Sequence, residues 1–328
     1  MNKPMSFLFL MDPYLSLNLA TETSLLLMEE LLKRGCQVFW LEQEDIFLNK
    51  DRPYGRVDKV KSVSPLVKEA AGEVCLNEFN ALLNRLDPPF DGNYLHTGYI
   101  LDHLSDKVVQ FNPSKAVRNF NEKILPLKWP MFVPPSLVSQ NVEQLLAFLR
   151  QHKEIVIKPL DDCSGRGVVK ISVDEDELGR KLNTCLIDAH GQKRFVQAQK
   201  FLPQVKQGDK RVYLVNGEVV GLVNRIPQEG NYLANIHQGA ECQPAKLSMR
   251  ERIILKEVAP FLIEQELFLV GIDFIDGFIT EINVTSPSAV RQINQVMAEK
   301  IQVKIVDAMI ERLEQRNNKA SLIFYHCC

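Results

Sequence analysis

The sequence lacks several patterns that mark common classes of protein. Its 328 residues contain no run approaching the ~20 apolar residues that a membrane helix needs, and no internal repeat or low-complexity segment. The formal net charge of −2 provides no global basic field, which argues against nucleic acid as the main partner. A hydrophobic content of 45% is ordinary for a globular protein, and the length allows two or three domains. We therefore expect a soluble chain with neither a membrane nor a nucleic-acid partner.

Cysteine patterns typical of disulfide frameworks and zinc sites are also missing. The seven cysteines are odd in number and scattered, and no C-x-x-C pair occurs, so a reducing cytoplasm is the expected location. Cys163 lies in a glycine-containing loop with no histidine near it in sequence, which favours an unreactive loop cysteine over a nucleophile. The short apolar run from Phe7 to Met11 has no small-residue cleavage site after it, and therefore fits a buried strand better than a signal peptide.

The first third of the chain alternates strand and helix patterns. Strands are predicted at Phe7 to Met11, Gln37 to Leu41 and Val108 to Phe111, and helices at Thr21 to Lys33 and Tyr94 to Leu104. The segment from Ser62 to Ala71 favours neither. This alternation predicts an α/β fold with a parallel sheet covered by helices on both faces.

A proline-rich break from Pro126 to Pro135 separates this part from the rest. The next ~75 residues read as a compact α+β unit, a size typical of a small mobile domain. Its predicted strands and helices, in chain order, are Val142 to Arg150 (helix), Glu154 to Lys158, Val168 to Val173, Glu177 to Leu186 (helix) and Phe195 to Gln199. We place the domains at 1–122, 123–200 and 201–316, followed by a tail at 317–328.

The C-terminal part contains two predicted hairpins. The first turns at Asn216-Gly217, between Arg211 to Val215 and Glu218 to Val223, and the second turns at Asp276-Gly277. A polar loop (Pro227 to Ala245), a helix (Arg250 to Glu266) and a final helix (Gln302 to Gln315) complete the pattern. The residues from Arg316 to Cys328 have no obvious place in the core.

The second hairpin carries the most specific chemistry. Asp273, Glu281 and Asn283 are oxygen ligands that paired strands can bring together, and Glu281 and Asn283 lie two apart on one face. Hard oxygen ligands of this kind suit Mg²⁺, which usually also takes phosphate oxygens and water. The alternative is a structural hairpin with incidental acids. A carboxylate beside the apolar run from Leu267 to Ile275 is costly to bury unpaired, which favours the metal site.

A second candidate site is the loop that follows the strand ending at Lys158. It reads Pro159-Leu160-Asp161-Asp162-Cys163-Ser164-Gly165-Arg166-Gly167, and Gly165 and Gly167 allow backbone N–H groups to approach phosphate oxygens. Lys158 can supply a cation to those phosphates. A plain Gly-x-Gly hairpin loop is the alternative. No helix is predicted after the loop, which excludes a Walker loop or a dinucleotide fingerprint.

Basic residues that can hold anions are spread along the chain. Arg85, Lys123, Arg211 and Arg225 each stand beside turn or acidic residues. Taken singly, each fits a solvated surface charge. Together with a carboxylate metal site and a phosphate loop, they indicate binding of anions and of a magnesium nucleotide.

Several segments of the chain resemble those of the ATP-grasp ligases, and most closely the bacterial glutathione synthetases. They occur in the family's order and with nearly its spacing, from about Met11 to Arg312. The matching segments are Met11-Asp12-Pro13, Arg85-Leu86-Asp87-Pro88-Pro89-Phe90-Asp91, Asn121-Glu122-Lys123, Lys158-Pro159-Leu160-Asp161, Gln199-Lys200-Phe201-Leu202-Pro203, Gly208-Asp209-Lys210-Arg211-Val212, Arg225-Ile226-Pro227-Gln228 and Thr280-Glu281-Ile282-Asn283-Val284-Thr285-Ser286-Pro287.

The resemblance implies an ATP-grasp fold preceded by a Rossmann-like parallel-sheet domain, and a homo-oligomer. It also implies ATP between the central and C-terminal domains and two Mg²⁺ ions, with Mn²⁺ as an alternative, on Asp273, Glu281 and Asn283. Lys123, Lys158 and the loop with Gly165 and Gly167 are expected at the phosphates. The adenine is expected at Gln199, Lys200, Phe201 and Leu202.

The implied reaction joins γ-glutamylcysteine to glycine. The cysteinyl carboxylate attacks the γ-phosphate to give an acyl phosphate, and the amine of glycine then displaces phosphate. Arg211 is expected to stabilise the charge that develops on the transferring groups. The candidates for holding substrate are Arg85, Arg225, Thr285 and Ser286.

The chain departs from the family in two loops. Asp162, Ser164 and Arg166 stand where the family's phosphate loop has glycine or other small residues, and Leu233-Ala234-Asn235 stands where the family has Arg-Gly-Asn. Asp162 would repel phosphate unless it points outward or pairs with Arg166. Two alternatives therefore stay open: a related ligase with another carboxylate and amine, and a non-catalytic nucleotide-binding protein.

Overall fold

The computed structural model of the protein describes residues 3–325, which form three β-sheets. The N-terminal elements are β1 (Ser6–Met11), α1 (Ser24–Lys33), β2 (Gln37–Glu42), β3 (Ile46–Asn49), β4 (Arg52–Val63), β5 (Leu66–Cys75), β6 (Ala81–Asn84), α2 (Gly92–Leu101), β7 (Val109–Phe111) and α3 (Ser114–Asn119). Their seven strands lie in the order β3-β4-β2-β1-β6-β7, with β5 paired to β4. Strands β2, β1, β6 and β7 are mutually parallel, which confirms the predicted parallel sheet.

Strand β1 is fully buried because helices cover both of its faces. Phe7 and Phe9 pack in one hydrophobic cluster with Met28 of α1, whereas Leu8 and Leu10 pack in another cluster that includes residues of α2. A strand covered on both sides reads as a continuous apolar run, which is the pattern found at this position in the sequence.

The segment from Ser62 to Ala71, which favoured neither helix nor strand, belongs to a long hairpin of β4 and β5. Most of β5 is exposed, so it has no apolar alternation to reveal it. The predicted helix from Thr21 begins three residues later than expected, at Ser24.

The central unit is a four-stranded antiparallel sheet in the order β10-β9-β11-β8. Its elements are β8 (Ser136–Ser139), α4 (Val142–His152), β9 (Glu154–Pro159), β10 (Val169–Ser172), α5 (Leu178–Cys185) and β11 (Val196–Lys200), preceded by a 3₁₀ turn at Leu125–Lys128 in the proline-rich break. The three predicted strands and two predicted helices are present, and β8 was missed. Leu145, Ile157 and Leu182 contribute to a hydrophobic core that belongs to this unit alone.

The C-terminal sheet is antiparallel in the order β14-β13-β12-β15-β16. Its elements are β12 (Asp209–Val215), β13 (Glu218–Ile226), β14 (Glu241–Gln243), α6 (Met249–Glu264), β15 (Leu269–Ile275), β16 (Phe278–Asn283), α7 (Val290–Met297) and α8 (Ile301–Tyr325). Both predicted hairpins are present, and Asp276 (φ 52°) and Gly277 (φ 71°) adopt the left-handed backbone that a tight hairpin turn requires.

The final helix is longer than predicted. It continues from Gln315 to Tyr325, into the segment predicted to have no place in the core, and residues 326–328 of that segment lie outside the described part of the chain. Within residues 3–325, no helix has the length and apolar character needed to cross a membrane.

The N-terminal and C-terminal sheets share one hydrophobic core. Phe111 of β7 and Phe268 have ring centroids 4.8 Å apart, and Tyr213 of β12 and Ile305 of α8 lie in the same cluster. The central unit has a separate core, and it meets the C-terminal sheet through a small apolar cluster that includes Val156 and Ile275 and through polar side chains around it. Two clefts therefore form where the central unit approaches the rest of the molecule.

Candidate active site

The first cleft, named here the lysine cleft, lies between the central sheet and the β15–β16 hairpin and encloses ≈ 810 Å³. One part of its wall is apolar, and the other carries lysines, amides and carboxylates. Its apolar lining includes Val156, Phe201, Leu202, Val205 and Ile275. Its polar lining includes Lys123, Lys158, Gln199, Lys200, Asp209, Asp273 and Glu281. All of the predicted ATP-binding residues except Gly167 are thus brought together.

The β15–β16 hairpin places the three predicted metal ligands side by side. Asp273 lies directly opposite Glu281 in the strand register, and Asn283 is two residues further along the same face as Glu281. The Asn283 side-chain nitrogen donates hydrogen bonds to the Gly271 carbonyl and to Asp273 Oδ2, both at 3.2 Å, which leaves its amide oxygen available. The oxygen-donor set therefore fits Mg²⁺ chemically.

Two arginines hold the Asp273 carboxylate. Arg211 stands opposite Asp273 on β12 and donates from Nε to Oδ1 at 2.5 Å and from Nη2 to Oδ2 at 2.9 Å. Arg225 Nη2 lies 3.0 Å from Asp273 Oδ2 and 2.8 Å from Asp209 Oδ2. Burial alone would raise the pKa of Asp273, but the two guanidinium groups outweigh it and hold that pKa well below its usual range. The Asp273 carboxylate is therefore ionised at neutral pH.

A second carboxylate, that of Asp209, lies in the same wall of the cleft. Burial, with Asp273 nearby, raises the pKa of Asp209 to about 6 in spite of Arg225. Within the described residues, no group of three or more histidine, cysteine, aspartate or glutamate side chains is arranged to hold a metal ion. A cation at the hairpin would have two carboxylates and one amide from the protein, and would take its remaining ligands from phosphate and water.

The two lysines at the predicted phosphate position are held in different ways. Lys123 Nζ lies 3.1 Å from Glu281 Oε1 and donates to the Asp162 carbonyl at 2.6 Å. Burial lowers the pKa of Lys123, but Glu281 and Glu122 outweigh it and the net pKa is raised. Lys158 Nζ donates to Gln199 Oε1 at 3.0 Å. Because no carboxylate of the described residues forms an ion pair with it, burial lowers its pKa.

The loop from β9 to β10 closes one side of the lysine cleft. Gly165 (φ 77°) faces the polar loop after β13, since a Cβ atom there would meet Asn235 Oδ1 at 2.7 Å. Gly167 (φ 66°) lies at the turn into β10, where a Cβ atom would meet Pro159 Cγ at 2.8 Å. Glycine is therefore needed at both positions because neighbouring side chains lie too close for a Cβ atom. The contact of Gly165 with Asn235 also brings together the loop at 159–167 and the polar loop after β13.

Asp162 has the partner expected for it. Arg166 Nε donates to Asp162 Oδ1 at 2.5 Å, which neutralises the carboxylate beside the predicted phosphate position. Burial raises the pKa of the Cys163 thiol, as expected for an unreactive loop cysteine.

The second cleft, named here the arginine cleft, adjoins the first and encloses ≈ 1410 Å³. It lies between loops of the N-terminal domain and the end of the β15–β16 hairpin. Charged side chains of both signs line it: Arg85, Arg166, Arg211, Arg225, Asp12, Glu22, Asp87, Glu122 and Glu281. The two clefts share Cys163, Ser164, Arg166, Asn235 and Glu281. Glu281 therefore marks their junction.

The predicted substrate residues lie in the arginine cleft. Arg85 is buried and donates to Ser24 Oγ and to the Pro287 carbonyl, both at 3.0 Å. Ser286 Oγ donates to the Arg85 carbonyl at 3.3 Å. The Thr285 hydroxyl donates to Glu122 Oε1 at 2.8 Å, so it is engaged within the protein.

Sequence reasoning missed three acids of the arginine cleft, Asp12, Asp87 and Glu122. Glu122 is buried and accepts hydrogen bonds at Oε1 from the backbone N–H groups of Val284 and Thr285. Asp12 Oδ2 accepts the Asp87 backbone N–H at 2.9 Å. The matching segments already contain these three acids, so the family motifs were the signal that could have identified them.

Comparison with known proteins gives the same family at both ends of the chain. The model of the family "Prokaryotic glutathione synthetase, ATP-grasp domain" matches residues 122–298, and that of "Prokaryotic glutathione synthetase, N-terminal domain" matches residues 5–118. The chain belongs to the prokaryotic glutathione synthetase family. A glutathione synthetase of Prochlorococcus marinus (strain MIT 9313) is 35% identical over 93% of this chain and 97% of its own length. Membership of this family makes the chain an ATP-dependent ligase.

Solved structures share the fold of this glutathione synthetase family member. D-cycloserine synthetase DcsG has a TM-score of 0.66 at 17% identity, covering 94% of this chain and 99% of its own. The ATP-grasp ligase PsnB, solved with a phosphomimetic variant of a minimal precursor, Mg and ADP, has a TM-score of 0.61 at 14% identity and the same coverage. The ATP-grasp fold and the family resemblance are therefore both confirmed.

Proposed function

We propose that this chain joins the cysteinyl carboxylate of γ-glutamylcysteine to the amine of glycine, with ATP converted to ADP and phosphate. The observation that carries the proposal is the junction of the two clefts at Glu281. Phosphoryl transfer needs the nucleotide and the attacking carboxylate to meet in line, and a site open to both clefts allows this.

ATP fits the lysine cleft. The apolar wall with Phe201 and Leu202 suits the adenine, and Lys123 and Lys158 lie where the phosphates approach the hairpin. Asp273, Glu281 and Asn283 would hold two Mg²⁺ ions, with Mn²⁺ as an alternative. A bound divalent cation supplies charge neutralisation to the phosphate oxygens.

The donor dipeptide fits the arginine cleft. A zwitterionic peptide carries both ammonium and carboxylate groups, and this cleft presents carboxylates and guanidinium groups together. Arg85 and Arg225, with Thr285 and Ser286 beside them, would orient the donor carboxylates. Arg211 lines the same cleft while holding Asp273, so its cation lies near the atoms that develop charge.

The reaction then proceeds in two balanced steps. The donor carboxylate oxygen attacks the γ-phosphorus of ATP. The bond between the γ-phosphorus and the bridging oxygen of the β-phosphate breaks, so that ADP departs and the donor becomes an acyl phosphate. The amine of glycine attacks the acyl carbon and loses a proton, and phosphate departs as the amide forms. No protein nucleophile takes part.

The proposal also covers the location, assembly and domain bounds of the enzyme. We place the enzyme in the cytoplasm as a homo-oligomer, with domains at 1–122, 123–200 and 201–316. The cysteines at 36, 75, 163, 185 and 242 are free, which accords with a reducing compartment.

A phosphate-release assay tests the proposal. Turnover is expected to require ATP, Mg²⁺, γ-glutamylcysteine and glycine together, and chelation of the metal should abolish it. Absence of phosphate release above background with this substrate pair would contradict the glutathione reaction. A panel of other dipeptides and amino acids then separates the alternatives: turnover with another pair indicates a related ligase. Nucleotide binding without any turnover indicates a non-catalytic protein.

A further inference from the structure

Arg166 connects the loop of the lysine cleft to a segment of the arginine cleft. Its Nη2 donates to the Pro88 carbonyl at 2.7 Å, across 78 positions of sequence, while Nε is paired with Asp162. Pro88 follows Asp87 and lies in the segment that carries Arg85 into the arginine cleft. One guanidinium group thus bridges the two substrate-binding regions.

We propose that Arg166 is a positioning residue that makes nucleotide binding in the lysine cleft and donor binding in the arginine cleft interdependent. The coupling to a donor substrate rests on the proposed function, whereas the connection between the two loops does not.

The geometry suits a guanidinium and no shorter side chain. Its planar donors reach Asp162 on its own loop and the Pro88 carbonyl on the other loop at the same time. Asp162 fixes the orientation of the group, and a charge-assisted hydrogen bond to the carbonyl is stronger than a neutral one. A lysine has a single nitrogen and does not reproduce both contacts in this fork geometry.

Other contacts hold the near limb of the same loop without Arg166. The Phe90 backbone N–H donates to the Asp161 carbonyl at 2.8 Å, Asn121 donates to the Leu160 carbonyl at 2.7 Å, and Lys123 donates to the Asp162 carbonyl at 2.6 Å. Arg166 extends this attachment to the far limb of the loop, the part that contains Gly165 and lines the lysine cleft. Its removal should therefore uncouple the far limb and leave the protein folded.

Hydrogen–deuterium exchange tests the connection without any donor substrate. In the wild-type protein, a non-hydrolysable ATP analogue with Mg²⁺ should slow exchange both in the loop at 160–168 and at the amides of Asp87 and Asp91. The Phe90 amide is left out, because it donates directly to the Asp161 carbonyl and is held without Arg166. In Arg166→Ala, we expect protection of the loop to remain and the additional protection at Asp87 and Asp91 to be lost. Equal protection of these two amides in both proteins, or none in the wild type, would overturn the proposal.

A binding experiment then measures the coupling itself. The affinity for γ-glutamylcysteine, measured by calorimetry with and without the saturating analogue, should rise about 5-fold or more in the wild type. Arg166→Ala should reduce this ratio to about 1, and Arg166→Lys and Asp162→Asn should give intermediate ratios. A matched control is Arg180→Ala, because Arg180 is an exposed arginine of the same unit paired only with Glu177 among its described contacts.

The outcomes distinguish the inference from the proposed reaction. If Arg166→Ala weakens analogue binding equally with and without γ-glutamylcysteine, the ratio of donor affinities stays at its wild-type value. Arg166 would then be a simple phosphate ligand, and the coupling would be refuted. If γ-glutamylcysteine fails to bind the wild type while nucleotide still protects Asp87 and Asp91 through Arg166, the proposed substrate is wrong and the connection stands.

Discussion

The lysine cleft and the arginine cleft meet at Glu281 but differ in the side chains that build them. The lysine cleft combines an apolar wall with a few cations. Regular strands set Lys158, Lys200 and the hairpin acids, whereas Lys123 lies in a turn. The arginine cleft is lined by charges of both signs, most of which come from loops. The first cleft suits a ligand that is flat and apolar at one end and anionic at the other, whereas the second suits a small zwitterion.

This difference has a physical consequence for specificity. An apolar wall accepts a ring by shape, and a change of one contact there alters affinity modestly. A cleft of paired buried charges rejects ligands that leave a charge unmatched, because the unmatched group is costly. We therefore expect substitutions in the two clefts to differ in both size and kind of effect.

The largest effect is expected at the junction, because Glu281 lines both clefts. Glu281→Ala removes a carboxylate that faces both clefts and leaves Lys123 without its ion-pair partner. We expect kcat to fall by on the order of 10³-fold or more, because a proposed metal ligand is lost.

Phosphate release measures this loss, and circular dichroism checks that the protein remains folded. The matched control is Glu218→Ala, an exposed glutamate on β13 of the same sheet, which should retain wild-type turnover. Wild-type activity in Glu281→Ala would refute both the metal role and the importance of the junction.

The sequence predicted the junction more completely than the arginine cleft for a local reason. An Asp-Gly turn with alternating strands fixes which of Asp273, Glu281 and Asn283 share a face. The pairing of Arg211 with Asp273 and of Arg225 with Asp209 depends instead on the register of β12 between β13 and β15, which join residues distant in sequence. Only the family resemblance predicted specific roles for Arg211 and Arg225.

Residues in loops and exposed strands were the least predictable. Asp12, Glu22 and Asp87 reach the arginine cleft because three loops of the N-terminal domain converge there, and no periodicity encodes that convergence. Strand β5 was missed because it forms by pairing with β4 while remaining largely exposed. Hydrophobic periodicity arises from burial of one face of an element, so it does not predict a strand that is largely exposed.

The second prediction concerns the stability of the wall between the two clefts. Arg225→Met leaves the buried carboxylate of Asp273 and the partly buried carboxylate of Asp209 without a shared cation. We expect the free energy of unfolding to fall by about 3–5 kcal/mol, the usual cost of breaking a buried ion pair. Urea unfolding at neutral pH measures the change.

Two further variants sharpen that result. Arg225→Met combined with Asp209→Asn should recover part of the loss, since one of the uncompensated charges is removed. Lys61→Met breaks an exposed ion pair with Glu69 and should change stability by less than about 1 kcal/mol. A similar loss in both single variants would contradict the difference between buried and exposed charges.

The third prediction isolates the apolar wall of the lysine cleft. Phe201 packs in a small cluster with Val205 and Ala234, and the Lys170 ammonium lies 4.0 Å from its ring centroid. Phe201→Ala should raise KM for ATP by about 10-fold and leave KM for the donor unchanged, because Phe201 lines the lysine cleft and not the arginine cleft.

Steady-state kinetics with each substrate varied in turn provides the measurement. The matched control is Phe195→Ala, which removes an exposed ring next to β11 and should leave both constants unchanged. An equal rise in both KM values for Phe201→Ala would show that the two clefts are not separate in function.

The smallest expected effect is a pH dependence that only the lysine cleft should show. Burial lowers the pKa of Lys158 below its ordinary value of 10.5, so its ammonium group loses the proton at a lower pH than a free lysine does. Because the protonated form attracts phosphate, affinity for a non-hydrolysable ATP analogue should fall as the pH is raised from neutral toward 10.5, and the fall should begin at a lower pH than the titration of a free lysine would give. In Lys158→Arg the guanidinium stays charged throughout this range, so its affinity should change little with pH, whatever its absolute value. Parallel pH profiles for the two proteins, measured by calorimetric titration, would assign the decline to another group and remove Lys158 from the phosphate site.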